Sequence, residues 1–223
     1  DPMRPVRYIV ESGSADAIIL NQIRPQDPRV TYLMERGFPF ATHGRTDWAD
    51  KHPYYDFDNG AFGAIAVHRL AARGRKVIAA LVPPRDHNYA FHMIEGMQRA
   101  AQEAGVTLRL IDTVTSDNAS AEVVVAVQDL LGAQRDIDAI ITASTSSAMA
   151  VVGALENRGL CLGQQIDVFS KEAMPFLNLF RRDILTIAEK VSATGEFLAR
   201  AAIQAIKHPQ DPPMQFLEVP PAD

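Results

Sequence analysis

The chain has 223 residues, of which 47% are hydrophobic and 22% charged, and its formal net charge is −5 at pH 7. This composition is typical of a globular protein and excludes an intrinsically disordered chain. The acidic balance argues against binding of nucleic acid or anionic membrane by this chain itself, because phosphates attract basic surfaces. The single cysteine, Cys161, excludes an internal disulfide and a cysteine-based zinc cluster.

Short β-rich runs alternate with longer amphipathic segments along the chain. Short apolar runs predict strands, and apolar residues at helical spacing, often ending at glycine, predict helices. In chain order, the predicted elements are helix 5–13, strand 15–20, helix 28–37, strand 38–42, strand 54–57, helix 58–74, strand 76–82, helix 88–104, strand 106–111, helix 119–131, strand 137–141, helix 146–158, strands 166–169 and 184–187, helix 192–207 and strand 214–219.

The regular alternation of strands and helices is typical of the α/β class, in which helices cover both faces of a doubly wound parallel sheet. Two successive stretches of this kind predict two lobes. Prolines 209, 212 and 213 interrupt the pattern after the last helix. We expect them to form a turn or a segment that passes between lobes, rather than a flexible linker.

Signals for a membrane or for export are not evident in the sequence. No apolar run approaches the ~18 residues of a membrane helix, and the first residues, Asp1-Pro-Met-Arg-Pro, do not form a signal peptide. We therefore expect a cytoplasmic protein without a membrane partner. A secreted chain that has already been processed is the alternative.

The signatures of common enzymes do not occur in the sequence. It has no Walker A loop, no G-x-G-x-x-G after the first strand and no G-x-S-x-G elbow. The serine run at 144–147 has no adjacent base and is better explained as the polar start of a helix. We therefore predict no catalytic residue and no cofactor.

Histidine spacing does not indicate a metal site. His87 and His92 are five residues apart, which separates them by about 140° on a helix and makes them poor joint ligands. Four residues of one loop could collect a metal ion, namely His43, Asp47, Asp50 and His52. A solvated polar loop is the favoured interpretation, because no ligand spacing here is diagnostic.

Polar residues recur where predicted strands end. They are Asn21, His43, Arg45, Asp86, Asn88, Tyr89, Asp117, Asn118, Ser144, Ser146, Lys171, Glu172 and Glu189. Each alone is compatible with a helix cap or a turn, but ligands of open parallel sheets bind at the carboxyl ends of the strands. Carboxylates and amides suit neutral hydroxyls, and Tyr54, Tyr89 and Phe180 could stack on a sugar ring. The recurrence therefore favours a polyhydroxylated ligand.

Several segments, in order along the whole chain, resemble the LacI/GalR (lactose-repressor) family of transcriptional regulators. These segments are residues 16–20, 58–60, 70–79, 95–105, 148–155 and 184–187. Residues 42–46 and 57–59 are similar to a subgroup associated with sugar or glycoside uptake. The resemblance is to the effector-binding domain, which has a periplasmic-binding-protein-like type I fold.

The resemblance implies two α/β lobes joined by three crossings, a small effector in the cleft between them, and a homodimer. We expect the amino-terminal lobe to comprise residues 1–57 and 191–208, and the carboxy-terminal lobe 58–188 and 214–220. The first strand–helix–strand of the family's amino-terminal lobe has no counterpart, so that lobe is expected to be incomplete. The family's helix-turn-helix also has no counterpart, so operator DNA would be bound only through a domain outside this chain.

The resemblance implies effector-binding roles for Asn21, Asn118, Ser146, Glu172 and Glu189. Together with the polar residues at strand ends, it gives ten predicted effector-binding residues. They are Asn21, His43, Arg45, Asn88, Tyr89, His92, Asn118, Ser146, Glu172 and Glu189. Glu172 takes the place of an aspartate that grips sugar hydroxyls, and Asn118 that of a stacking aromatic residue. Met93 stands where the family often has an effector-binding arginine. This makes a phosphorylated or anionic effector less expected, although His92, Tyr89 or Arg45 could substitute.

Two functions remain open at this level. The first is the sugar-binding and dimerisation domain of a transcriptional regulator, in which the effector controls DNA binding by a separate helix-turn-helix. The alternative is a periplasmic sugar-binding protein of a transport system, which would be exported and monomeric. An enzyme is not predicted: Glu172, Glu189 and His92 could exchange protons, but no nucleophile and base are paired by spacing.

Overall fold

The computed structural model describes residues 1–221, which divide into two compact units. Among the described residues, the first unit comprises 1–57, 86–89 and 191–218, and the second comprises 58–85, 90–190 and 219–221. In chain order the elements are α1 (Met3–Ser12), β1 (Ile18–Leu20), α2 (Pro28–Glu35), β2 (Phe40–His43), a 3-10 turn (Ala49–Lys51), β3 (Tyr54–Phe57), α3 (Asn59–Ala72), β4 (Val77–Leu81), α4 (Asn88–Ala104), β5 (Thr107–Leu110), α5 (Ser120–Ala133), β6 (Ala139–Thr142), α6 (Thr145–Asn157), β7 (Asp167–Glu172), α7 (Leu177–Phe180), β8 (Leu185–Ala188), α8 (Val191–Lys207) and β9 (Gln215–Glu218).

The first unit is built on a four-stranded parallel sheet in the order β1-β2-β3-β9. Neighbouring residues of β2 point to opposite faces, as the pleat requires. Phe40 packs in a cluster with α1 and α2 that includes Val6 and Leu33. Ala41 packs against α8 in a second cluster that includes Leu198. Helices therefore cover both faces of this sheet.

The position of β9 corrects one of the sequence predictions. Residues 214–220 were expected in the carboxy-terminal lobe, but β9 pairs with β3 in the first unit, with Tyr54 opposite Gln215. Side chains hold this pairing, because the buried Tyr55 hydroxyl donates to Glu218 Oε2 at 2.8 Å. The Tyr55 ring also stacks on Phe216, with ring centroids 5.2 Å apart. That assignment of the last strand is therefore wrong.

The second unit contains a five-stranded parallel sheet in the order β5-β4-β6-β7-β8. Helices α5 and α6 pack on one face, where Val127 and Val151 join Val168 of β7 in the core. On the opposite face, Phe62 of α3 contacts the ring of Phe169, the next residue of β7. The central strand β6 is buried over its whole length. The α/β class with two doubly wound parallel sheets is thereby confirmed.

Two features of the second unit were not predicted from the sequence. Strand β7 continues to Glu172, beyond its predicted end at residue 169, because its polar end pairs with β8. The short helix α7 is the next element after β7 and was not predicted.

Within residues 1–221, every helix is too short or too polar to cross a bilayer.

Helices α3 and α4 approach each other closely at glycine. A Cβ atom built on Gly96 would lie 2.8 Å from the carbonyl carbon of Gly60 and 2.9 Å from its Cα. One on Gly63 would lie 2.5 Å from the carbonyl oxygen of Met93. Backbone atoms cannot move aside as side chains can, so this crossing requires residues without a Cβ.

An ion cluster lies at the amino end of β7. The carboxylate of Asp167 is fully buried and accepts from Arg73 Nε at 2.8 Å and from Arg75 Nε at 2.7 Å. Burial alone would raise the pKa of Asp167, but the hydrogen bonds from the two guanidinium groups outweigh it and lower the pKa below its usual 3.8. These bonds join the end of α3 to the start of β7.

Replacing Asp167 by asparagine is expected to lower the free energy of unfolding near pH 7 by about 2–3 kcal/mol, because a buried charged acceptor is lost. The folded-state pKa lies below the unfolded value, so this stabilisation is complete above the unfolded pKa and disappears as the pH falls through the folded value. The free energies of unfolding of the parent and of Asp167→Asn, measured with urea, should therefore become equal at acidic pH. Asp136→Asn is the matched control. It alters an exposed ion pair with Arg109 and should change the free energy of unfolding little.

Candidate functional site

The predicted binding residues fall into two groups, one in each unit. Those of the first unit are Asn21, His43, Arg45, Asn88 and Tyr89. Those of the second unit are His92, Asn118, Ser146, Glu172 and Glu189. Because all strands of each sheet are parallel, residues that end or follow these strands collect at one edge of the sheet.

Arg45 presents unoccupied donors in the first unit. Its Nε donates to Asp56 Oδ2 at 2.6 Å, and the carboxylate of Asp56 is nearly buried in β3. Within the part of the chain described, the two terminal nitrogens of Arg45 donate to no acceptor. The guanidinium group is thus fixed at one nitrogen and keeps two more that can donate to ligand oxygens.

Asn88 connects two loops of the first unit. Its Nδ2 donates to the carbonyl of Arg45 at 2.6 Å, and its backbone N–H donates to the carbonyl of Ile23 at 2.8 Å. The side chain is 4% exposed. Its amide nitrogen therefore holds the loop after β2 in place, a role that spacing could not reveal.

The turn after β1 is fixed by the start of α2. Arg29 Nη2 donates to the carbonyls of Asn21 and Gln22, and Gln22 adopts a left-handed conformation with φ of 52°. Asp27 caps α2 and binds Arg29. Burial raises the pKa of Asp27, but the hydrogen bond from Arg29 and those from backbone amides lower it overall. The side chain of Asn21 is therefore exposed on a turn whose backbone is held by Arg29.

Glu172 has the most unusual environment in the second unit. It is 1% exposed at the end of β7, and its Oε2 accepts the backbone N–H groups of Phe176 at 3.1 Å and Leu177 at 2.9 Å. These bonds satisfy free amides at the start of α7. Its Oε1 is equally buried and has no hydrogen-bond partner among residues 1–221. A buried carboxylate oxygen without a donor is costly, so Oε1 is a candidate acceptor for a hydrogen bond from a ligand.

A polar network adjoins Glu172. Lys171 Nζ lies 3.1 Å from Asn59 Oδ1 and 3.4 Å from Glu189 Oε2, and all three side chains are largely buried. The backbone N–H of Glu189 donates to the carbonyl of Glu172 at 2.9 Å. Lys171 and Asn59 were not among the selected binding residues. The signal for Lys171 was available, since it follows the same predicted strand as Glu172.

Asn118 and Ser146 make local hydrogen bonds. Asn118 Oδ1 accepts from the backbone and hydroxyl of Thr115, and its Nδ2 donates to Glu122 Oε2 at 2.8 Å. Ser146 lies in the first turn of α6, where its hydroxyl is 3.2 Å from that of Ser144. Both residues are exposed. The amide of Asn118 is thus occupied by its own turn.

The histidines occupy distinct environments. His43 lies beside the Tyr55 ring, with centroids 6.5 Å apart, and His92 contacts Phe91 in the first turns of α4. The ring of His87 stacks on that of Tyr89. In residues 1–221, no group of three or more histidine, cysteine or acidic side chains could hold a metal ion.

Each unit has a parallel sheet with polar side chains at the carboxyl ends of its strands. This arrangement is typical of α/β proteins that bind small molecules. Residues 7–217 match the family model described as periplasmic binding proteins and sugar binding domain of LacI family. The chain belongs to this family and is a LacI-type effector-binding domain. The resemblance to LacI/GalR regulators is thereby confirmed.

Curated relatives agree with this assignment. The chain is 27% identical over 214 residues to the HTH-type transcriptional regulator RafR of Escherichia coli, covering 95% of this chain and 63% of that protein. It is also 27% identical over 217 residues to the HTH-type transcriptional regulator AglR of Rhizobium meliloti, covering 95% and 60%. The chain thus spans under two thirds of their length. Both relatives are transcriptional regulators, and they give no support to a transport component.

Solved structures confirm the fold. The transcriptional regulator CelR in complex with cellobiose superposes with a TM-score of 0.84 at 21% identity, covering 98% of this chain and 67% of that one. A regulatory protein of the LacI family from Chloroflexus aggregans gives a TM-score of 0.83 at 22% identity, covering 98% and 78%.

Proposed function

We propose that this chain binds a neutral sugar or glycoside as the effector of a transcriptional regulator. The proposed contacts are the residues predicted from the sequence, together with Lys171 but without Asn88 and Asn118, whose amides bind within the protein. The proposal is supported by the family, whose description names a sugar-binding domain, and by a relative of this fold that was solved with cellobiose.

The observation that carries the proposal is the buried Oε1 of Glu172, which lacks a hydrogen-bond donor among residues 1–221. A sugar hydroxyl supplies such a donor and can accept another hydrogen bond in return. Arg45 offers donors to ligand oxygens from the first unit. Carboxylate and guanidinium groups of this kind discriminate between hydroxyl positions, because an unmatched polar group would stay unsatisfied.

A neutral effector fits the side chains better than a phosphorylated one. Met93, which replaces the family's frequent arginine, is fully buried in α4. Lys171 already has the carboxylate of Glu189 at 3.4 Å. A doubly charged phosphate would therefore meet Glu172 and Glu189 without an additional cation from α4.

The regulatory partners form a further part of the proposal. A homodimer in the cytoplasm would bind operator DNA through a helix-turn-helix outside this chain. A sugar would act through its different affinity for two conformations, with a coupling on the order of 1–3 kcal/mol. Direct catalysis on the sugar is not proposed.

Calorimetric titration with neutral mono- and disaccharides, including cellobiose, maltose and ribose, tests the proposal. At least one sugar should bind with a dissociation constant in the micromolar range, about −8 kcal/mol. Glucose 6-phosphate serves as the anionic comparison and should bind more weakly than its neutral counterpart. A folded protein that gives no heat with any sugar would contradict the proposed function.

A further inference from the structure

The loop of residues 44–52, which carries Arg45, is held by a buried histidine. His52 is fully buried between β2 and β3, where its ring lies against Phe40 and Tyr54. Its Nε2 is 2.8 Å from Thr46 Oγ1, and its Nδ1 is 3.1 Å from the carbonyl of Pro53. Thr46 immediately follows Arg45 in sequence, so the ring reaches the Arg45 segment directly.

The direction of these hydrogen bonds can be deduced. The carbonyl of Pro53 can only accept, so Nδ1 carries the proton. Burial lowers the pKa of His52, which favours the neutral ring and leaves Nε2 as an acceptor for the Thr46 hydroxyl. Thr46 Oγ1 in turn accepts the backbone N–H of Trp48 at 3.3 Å. The chain of bonds therefore has a single orientation.

Other bonds hold the backbone on either side of Arg45. The hydroxyl of Thr42 donates to the carbonyl of Gly44 at 2.7 Å. Asn88 donates to the carbonyl of Arg45 itself, and the N–H of Asp47 donates to the carbonyl of Pro25 at 2.8 Å. Consecutive residues of the loop are thus anchored, while the terminal nitrogens of Arg45 bind nothing in the described residues.

We propose that His52 and Thr46 are positioning residues for sugar recognition, because they hold the loop in the form that presents the guanidinium of Arg45 to the effector. This inference rests on the proposed sugar-binding function. Nδ1 bonds to the Pro53 carbonyl that follows His52, whereas Nε2 bonds to Thr46, the residue next to Arg45, so the ring joins the start of β3 to the Arg45 segment. Preorganisation of Arg45 lowers the entropy lost on binding. The hydrogen-bonded pair of His52 and Thr46, here called the clamp, therefore contributes to affinity without touching the sugar.

A matched pair of substitutions at Thr46 tests the clamp. Thr46→Val keeps the shape and removes the hydroxyl, whereas Thr46→Ser keeps the hydroxyl. Calorimetry with the sugar that binds the unmodified protein should show about a tenfold loss of affinity for Thr46→Val and near-normal affinity for Thr46→Ser. Thermal unfolding of each variant establishes that the protein tested is folded.

A double-mutant cycle separates positioning from general damage. In a protein that already carries Arg45→Ala, the additional Thr46→Val substitution should change affinity by less than about twofold, because there is no guanidinium left to position. Should Thr46→Val fail to fold, His52→Asn serves instead, since its amide can still donate to the Pro53 carbonyl while the acceptor for Thr46 is lost.

The outcomes separate this inference from the function on which it rests. If the unmodified protein binds no sugar, the proposed function fails. If it binds sugar but Thr46→Val matches Thr46→Ser, or loses the same affinity with and without Arg45, the positioning role is overturned.

Discussion

The substitution Gly96→Ala is expected to destabilise the second unit by about 3 kcal/mol or more. The new Cβ would press against the backbone of Gly60, 2.8 Å from its carbonyl carbon, in the crossing of α3 and α4. Relief would require the helices to separate, which would disturb the packing of the buried Phe62 and Met93. Urea unfolding monitored by far-ultraviolet circular dichroism measures the change in the free energy of unfolding.

Gly153→Ala provides the matched control in the same unit. Gly153 lies within α6, and a Cβ built there meets no atom within 4 Å. Alanine is the better helix former by roughly 0.5–1 kcal/mol, so this variant should be as stable as the parent or slightly more stable. Equal stabilities for Gly96→Ala and Gly153→Ala would contradict the close approach of α3 and α4.

The largest functional effect is expected from Glu172→Gln. Glutamine can keep an oxygen toward the N–H groups of Phe176 and Leu177, but it places a donor where the unpartnered Oε1 lies. A sugar hydroxyl that donates to the carboxylate would lose a charge-assisted bond, which is worth about 1.5–3 kcal/mol. Calorimetry should therefore show a loss of affinity of roughly 10- to 100-fold.

Glu103→Gln is the control for this substitution. Glu103 lies near the end of α4, is half exposed and pairs with His68 at 3.3 Å, so its loss should leave sugar affinity unchanged. Thermal unfolding should show Glu172→Gln to be folded. An affinity for Glu172→Gln within about twofold of the parent would mean that Oε1 does not receive a ligand hydroxyl.

The sheets were predictable because buried parallel strands carry a strong local signal. The run Ile137-Asp-Ala-Ile-Ile is apolar enough to require burial on both faces, and β6 is buried throughout. Polar strand ends carry a weaker signal, so β7 was predicted to stop before Lys171 and Glu172. Their backbone groups nevertheless pair with β8.

The predicted binding residues show the limit of reasoning from sequence patterns. Asn88 and Asn118 follow strands as ligand residues would, but their amides bind the Arg45 carbonyl and the turn at Thr115. The sequence placed His52 in a solvated loop, whereas in the structure its side chain is fully buried. Spacing along the chain reveals which residues follow a strand, but not which atoms their neighbours have already bonded.

The sequence by itself determined the α/β class, the order of the principal strands and helices and the family, because these follow from hydrophobic periodicity and from ordered local motifs. Only the tertiary structure decided that β9 joins the first unit, that Gly60 and Gly96 meet, and that one oxygen of Glu172 lacks a partner. These features depend on contacts between residues far apart in the chain. Such contacts are selected by packing and hydrogen bonding in three dimensions, and no local pattern encodes them.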